Sequence, residues 1–409
     1  MRITRAALDA EICMRRRILG IAFVCLTVLP ATLQAQEFRL FDHEIQVHGF
    51  ASQGYVYTTG NNWLTMTTNG DGSAGFTEMA LNLSTDLTDR LHIGAQVYDR
   101  NLGQLGQYHP EVDWAMLDYR FKPWFGLRAG RVKTQLGLFT DTQDLDFTRT
   151  FALLPQSVYP LDLRANNIAH WGGDVYGNIA LGRHRGDISY TGYAGFRNDS
   201  IYDGYEYFLQ TVHNFTRHYG GLQYGGDFRW NTPVKGLTLG ASRLDEQLKG
   251  FGIRLRIPVH EWSVTPDYTN QFYGEYVWRR FRFDSEAKRY VSHPAVRNGA
   301  FDDHINVHAW YVAGSFRVTK RLSVGSYYSH YTITSTFFHL SDTSLPNAHD
   351  FDKVVSGRFD INRFWNVKIE GHFMDGYAYG PYPNGSYPQQ NATFKPDTNA
   401  LVFKTGFNF

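Results

Sequence analysis

Along most of the chain apolar and polar residues alternate with a period of two. In FRFDSEAK, Phe281, Phe283 and Ala287 share one parity while Arg282, Asp284, Glu286 and Lys288 share the other, so the charge lies on one face. In AMLDYRFK, Ala115, Leu117, Tyr119 and Phe121 alternate with Met116, Asp118, Arg120 and Lys122. In NVKIEGHF, Val367, Ile369, Gly371 and Phe373 alternate with Lys368, Glu370 and His372. Side chains of a strand point alternately to opposite faces, so this period marks strands with one greasy and one wet side. The pattern predicts about 16 strands of roughly 10 residues, the length a tilted strand needs to cross a bilayer. Their spans are 44-57, 75-87, 90-100, 112-122, 124-133, 171-181, 186-196, 219-230, 237-246, 267-278, 281-290, 306-318, 322-334, 352-361, 365-375 and 398-409.

The connections alternate as well. DLTDRL, FKPWF, GRHRG, NTPVKG, WRRF, VTKRL and NRFW are short, whereas 58-74, 134-170, 197-218, 247-266, 291-305, 335-351 and 376-397 are long and rich in turn residues. Short turns at one end and long loops at the other describe an all-β, antiparallel transmembrane β-barrel. A soluble sandwich also alternates, but it gives no reason for connection lengths to alternate along the whole chain. Trp124, Trp230, Trp278, Phe364 and Trp365 fall at short turns, where they would form an interfacial girdle. The final strand, LVFKTGFNF, places Leu401, Phe403, Phe407 and Phe409 on the lipid parity and Val402, Lys404, Gly406 and Asn408 on the lumen parity, with Thr405 interrupting the apolar stripe. This ending resembles the C-terminal signature of bacterial outer-membrane proteins. The resemblance implies that the barrel-assembly machinery reads Phe403, Phe407 and Phe409.

The other end supports export. Arg15, Arg16 and Arg17 precede an apolar run from Ile18 to Leu29, followed by small and polar residues to Ala35, the layout of a secretory leader over 1-35. The run falls short of the roughly 20 residues a spanning helix needs. Cys13 and Cys25 both lie in this leader, so a mature barrel over 36-409 has no disulfide. Either Met1 or Met14 can be the true start. Mean hydropathy is only -0.38, as expected where lipid-facing and water-facing residues alternate. With 40 basic and 39 acidic residues, nothing marks a nucleic-acid partner.

Enzyme motifs are absent: there is no G-x-x-x-x-G-K-[ST], H-E-x-x-H, G-x-S-x-G or C-x-x-C, so no enzyme activity and no cofactor are expected. His43 and His48 sit on opposite strand faces and share no metal. The carboxylates of DTQDLD (Asp141, Asp144, Asp146) are a calcium-like donor set, but the glycine and terminal glutamate of the familiar loop are missing, and no metal is expected. The longest connection, 134-170, contains Phe147, Phe151, Leu153, Leu154 and Tyr159, too apolar for an exterior loop. Folding into the barrel would shelter it and bring Asp141, Asp144, Asp146, Arg149, Asp162 and Arg164 to a constriction. A cap outside the barrel, or a grip on a neighbouring subunit, is the alternative.

The segment from Val112 to Phe147, with its strand end Arg128, Gly130, Arg131 and Lys133, resembles phosphate-selective-porin-like (porin O/P) outer-membrane proteins. The resemblance implies a barrel that passes small polar solutes passively, often a homotrimer, in the bacterial outer membrane among lipopolysaccharide. It does not carry phosphate selectivity, because the expected lumen mixes signs. Candidate pore-lining residues are Asp118, Arg120, Arg128, Arg131, Lys133, Asp227, Arg229, Arg282, Asp284, Glu286, Arg358, Lys368 and Glu370. An outer-membrane barrel enzyme, or an adhesive barrel working through its long loops, is the alternative function.

Overall fold

The computed structural model describes residues 36–40, 43–182, 184–207, 215–252, 260–296, 302–378 and 394–409. The expected leader, with both cysteines, lies outside the described residues. The alternating segments form strands β1 (Gln36–Leu40), β2 (His43–Thr58), β3 (Ser73–Thr88), β4 (Leu91–Leu102), β5 (Glu111–Lys122), β6 (Phe125–Lys133), β7 (Ala169–Ala180), β8 (Asp187–Asn198) and β9 (Phe215–Asn231). They continue with β10 (Leu237–Gly252), β11 (His260–Trp278), β12 (Phe281–Val296), β13 (Ile305–Arg317), β14 (Leu322–Ser335), β15 (His349–Asp360), β16 (Trp365–Gly376) and β17 (Asp397–Asn408).

Each strand from β2 onward pairs antiparallel with the next, and β17 pairs back onto β2, closing a 16-strand barrel. Closure matters physically, because an open edge in hydrocarbon would leave backbone donors and acceptors unpaired. The ladder of β17 reaches down β2 only to Phe50, and β1 takes over below it, with Gln36 opposite Val47.

Outward residues are apolar: Leu81, Val97, Leu117, Phe272, Val312, Val355, Ile369, Phe373, Leu401 and Phe403 are all exposed. Trp124, Trp230, Trp278 and Trp365 are exposed at the short-turn end, as a membrane interface requires. One expectation is corrected. β10, β11 and β12 run on through much of 247-266 and 291-305, with Lys249 opposite Ser263 and Trp262 opposite Val296, where the polarity predicts loops. The ladder is made by backbone groups, so it continues through these stretches although their polar and proline residues read as loop.

The barrel is completed by its last residue. Phe409 and Gly49 exchange backbone hydrogen bonds, N–H to carbonyl at 3.0 and 3.2 Å. The Phe409 ring lies over Gly49: a Cβ added there would stand 2.6 Å from the ring's Cζ. Deleting Phe409 removes both bonds and the ring that covers the glycine. The expected result is a large loss of heat-modifiable, folded barrel on an unheated gel; wild-type yield would contradict this closure.

Candidate functional site

Between β6 and β7 the chain does not turn back. Residues 134–168 instead touch the wall on every side: Gly137 N–H donates to Ser242 on β10 at 2.9 Å and Leu138 N–H to Glu286 on β12 at 3.0 Å. Ser329 on β14 bonds Ser157 at 2.7 Å, and the Arg358 guanidinium on β15 donates to the Arg149 carbonyl at 2.9 Å. Glu370 on β16 accepts from the N–H groups of Ala152 and Leu153, both at 3.0 Å. Arg100 on β4 donates to the Leu161 carbonyl at 2.7 Å. Only a segment inside the ring can reach strands all round it, so the loop lies within the lumen.

Its local shape follows from its residues. Gly137 turns the chain with φ +90, pressed so close to β11 that a Cβ would stand 2.1 Å from Gln271 Nε2. Short 3-10 turns at Thr140–Thr142 and Asp146–Thr148 follow, and helix α1 (Arg164–Ile168) returns the chain to β7. The apolar half, with Leu138, Phe139, Phe151, Leu154, Val158 and Tyr159, packs on an inner wall formed by Val307, Ala309, Tyr311 and Ala313 of β13 and Val354 of β15. From Ala309 to Gly314, β13 is apolar on both faces. A second loop, between β2 and β3, also folds inward, and its Trp63, Leu64 and Met66 pack on Ala152 and Leu153.

Buried charges hold the polar half. The Arg164 guanidinium makes two parallel bonds to Asp113, each 2.9 Å, and stands 3.2 Å from Asp144 Oδ2. Lys404 Nζ is 2.6 Å from Glu78 and 2.9 Å from Asp146. Lys368 Nζ donates to the carbonyls of Asp146 and Phe151. Sequence alternation misses Asp113, because it shares parity with the outward Ala115 and Leu117. A β-bulge resolves this: Gln96 opposes Trp114 while the next residue, Val97, opposes Val112, and the extra residue turns Asp113 inward.

The candidate residues therefore divide. Glu286, Lys368 and Glu370 are 2%, 1% and 0% exposed and lie beneath the loop, and Asp144, Asp146, Asp162 and Arg164 are buried within its attachments. Arg149 spends its guanidinium on the carbonyls of Thr142 and Gln143. Lys133 Nζ donates to the Asp141 carbonyl at 2.9 Å and Arg131 Nε to the Asp113 carbonyl at 3.1 Å. Asp118, Arg120, Arg128, Asp227, Arg229, Arg282 and Arg358 face inward and stay partly open to water, and the Asp141 side chain is exposed on the loop. Asp284 is buried beside Arg282.

On this open wall the signs alternate. Arg128 pairs with Asp174 at 3.2 Å, Arg282 with Glu275 at 2.7 Å and Asp284 at 3.0 Å, and Arg358 with Asp360 at 2.7 Å. Asp118 accepts from Tyr176 at 2.5 Å, and Asp227 from Tyr273 and Ser242 at 2.7 Å. Asp141 lies within electrostatic range of Asp174, Asp227 and Arg229.

Burial alone would raise the carboxyls of Asp144 and Asp146, but nearby cations outweigh it. Lys368, Lys404 and Arg149 hold Asp146 well below the usual carboxylate range, and Arg164 and Lys133, with a bond from Gln96, hold Asp144 down to about 2. A depressed folded pKa adds stability that is complete above the unfolded value of about 3.9 and is lost as pH falls through the folded one. The share of the loop's attachment that Asp144 and Asp146 contribute should thus be complete above about pH 4 and be lost below that. Single-channel current recorded from about pH 5 to about pH 2 tests it; a current that stays flat over that range would contradict it.

The three DTQDLD carboxylates do not converge: Asp144 goes to Arg164, Asp146 to Lys404, and Asp141 accepts from Gln135 Nε2 at 2.7 Å. Among the described residues no three His, Cys, Asp or Glu side chains are grouped to hold a metal. Ser157 bonds Ser329, whereas His170 Nδ1 lies 2.9 Å from Thr134, so these two do not form a nucleophile and base.

Comparison with family models finds no match, and none of the curated proteins is similar. Solved structures are. Outer-membrane expressed OmpT of Vibrio cholerae superposes with a TM-score of 0.55 at 11% identity, covering 91% of this chain and 100% of that one. An anion-selective porin from Comamonas acidovorans gives 0.56 at 10%, covering 90% and 100%, and the outer membrane channel DcaP of Acinetobacter baumannii gives 0.55 at 10%, covering 91% and 99%. At these identities the likeness is one of fold. The chain is built as these outer-membrane barrels are, over nearly its whole length.

Proposed function

We propose that this protein is an outer-membrane porin that lets small polar solutes or ions diffuse through the water-filled part of its barrel, with no enzyme activity. The observation that carries this reading is the loop's asymmetric seat. Its apolar half covers β13 to β15, and the wall carrying Asp118, Arg120, Arg128 and Arg229 stays wet opposite the exposed Asp141. Fixed charges of both signs across a narrow passage set up a transverse field, which orients water and favours dipolar or zwitterionic solutes over a simple anion.

Support comes from the solved structures of like fold, which include a channel and a porin. Affinity with the porin O/P group rests on the Val112 to Phe147 pattern. A homotrimer, contact with lipopolysaccharide and delivery by the barrel-assembly machinery belong to the same reading; a similar structure, OmpT, has a trimer form.

Planar-bilayer recording tests the proposal. Stable conductance steps are expected, with a reversal potential in a salt gradient that shows weak ion preference. A folded barrel that never conducts would overturn it. Asp141→Arg should shift permeability toward anions by a factor of about two to five, because it reverses an exposed charge in the passage; an unmoved reversal potential would place the passage elsewhere.

A further inference from the structure

The short turns at one end of the barrel carry cations all round the ring. Lys122 ends β5 at the β5–β6 turn, Lys235 lies in the β9–β10 turn, Arg279 and Arg280 form the β11–β12 turn, and Lys320 and Arg321 belong to the β13–β14 turn, all of them exposed. The remaining turns add Arg90, Arg185 and Arg363, exposed as well. Acids are scarce there: within the described turn residues the acid is Asp89. Asp86 and Asp360, at neighbouring strand ends, are already engaged by His92 at 2.8 Å and Arg358 at 2.7 Å. The rim also differs from the lumen. Inside, Arg128, Arg282, Arg358 and Lys404 each stand against a carboxylate, whereas no turn cation makes an ion pair among the described residues. Like charges on turns two strands apart, roughly 10 Å along the ring, repel one another and are not compensated within the fold. An anion from outside would offset them.

The place of these cations tells which anion. Trp124 follows Lys122 by two residues, and the Arg279 guanidinium stands 5.3 Å from the centre of the Trp278 ring. Trp230 donates its indole N–H to the Arg185 carbonyl at 2.9 Å, and the Arg363 guanidinium covers the Phe364 ring at 4.4 Å. Trp124, Trp230 and Trp278 are exposed on the outer surface, where indoles meet the interface of a bilayer. Lys and Arg run their stems along apolar surface and put the charged head in the polar zone, so a cation beside an interfacial ring reaches the phosphate layer. A soluble acidic partner has no use for the rings. A lipid uses both, its chains against the aromatic and its phosphate on the cation.

We propose that this rim binds the headgroups of anionic glycerophospholipids in the leaflet at the short-turn end, each turn cation taking a phosphate while the neighbouring ring packs on the chains. The cations then anchor the barrel at that leaflet. The proposal rests on the membrane placement in the reading above, and it does not depend on whether the barrel conducts.

The test uses the full folded barrel in phosphatidylcholine vesicles containing either brominated phosphatidylcholine or brominated phosphatidylglycerol, whose bromines quench exposed indoles. At low salt phosphatidylglycerol should be preferred by about three- to five-fold, with the preference falling towards parity at roughly 0.5 M salt. Lys122→Gln, Lys235→Gln, Lys320→Gln and Arg321→Gln together should cut that preference at least by half. These side chains make no hydrogen bond or ion pair among the described residues, so the barrel should keep its fold. Inorganic phosphate at matched ionic strength should leave the preference unchanged; if it abolishes it, the rim binds free phosphate and the lipid assignment falls. Equal quenching by the two lipids in the wild type would leave the cations to a soluble acidic partner and overturn the proposal, as would a preference that the four substitutions do not reduce. Insertion is read separately, by flotation with the vesicles and by the heat-modifiable band. A barrel that floats without any preference defeats the rim alone, and a chain that does not float defeats the membrane reading with it.

Discussion

Deleting residues 141–160 is expected to raise single-channel conductance by roughly two-fold or more, since a barrel of this strand number leaves an aqueous channel once nothing fills it. The deleted stretch carries Phe151, Leu154, Val158 and Tyr159, the side chains that cover the apolar inner wall of β13 and β15. Removing them exposes Val307, Ala309, Ala313 and Val354 to water, at a cost of roughly 25 cal/mol per Å² of apolar surface. The ladder that closes the ring does not pass through the loop, so the barrel itself should survive. The deletion also uncovers Glu78, Glu286 and Glu370 together with Lys368 and Lys404, a mixed set. Conductance should therefore rise far more than ion preference changes. Unchanged current would show that solutes pass by a route the loop does not control.

The barrel was legible because its physics is periodic. A strand between lipid and water must alternate, and the paired lengths of short and long connections then give the ring. Legibility ended where turn-forming residues interrupt a strand. The upper parts of β10 to β12 are rich in polar residues and carry Pro266 and Pro294, which read as loop. The loop's insertion could be read from Phe147, Phe151 and Leu154, which need a dry place. Its landing site was also written in the sequence: AWYVAG, in the middle of β13, is apolar on both parities, and a stretch with no wet face must be covered on both sides. The inward loop after β2 had the same kind of signal in NNWLTM, whose Trp63, Leu64 and Met66 are out of place in an exposed connection.

Individual site residues were less legible. Alternation tells which face a charge is on, and it cannot tell whether the space in front of that face is filled. Lys368 and Arg358 share a parity class with the wet Arg128, yet Lys368 is spent on loop carbonyls. Asp113 was hidden by a bulge, which reverses parity without leaving a mark in composition. Its role depends on Arg164, 51 residues away in the chain, and such pairing is a property of the fold alone.

The strongest single-residue effect is expected at Asp146, where one loop carboxylate meets two buried ammonium groups. Asp146→Ala leaves Lys368 without its nearest carboxylate, and Lys404 with Glu78 only. Leaving a buried charge unpaired costs about 3–5 kcal/mol, most of which is desolvation no longer offset by attraction. The loop holds itself to the wall through many other contacts, so the expected outcome is a barrel that still assembles but whose loop detaches in part. In recordings this should appear as noisy, larger conductance, and in solution as cleavage between residues 141 and 160 by a protease that spares the wild type. The complementary variant separates charge from packing. Asp146→Leu combined with Lys368→Met and Lys404→Met removes the charges together and supplies apolar volume. It should restore the loop's protection to near the wild-type level, although Glu78→Gln is needed alongside to avoid stranding that carboxylate. If Asp146→Ala alone leaves both the current and the cleavage pattern unchanged, the charge cluster does not hold the loop, and the apolar contact with β13 carries its attachment by itself.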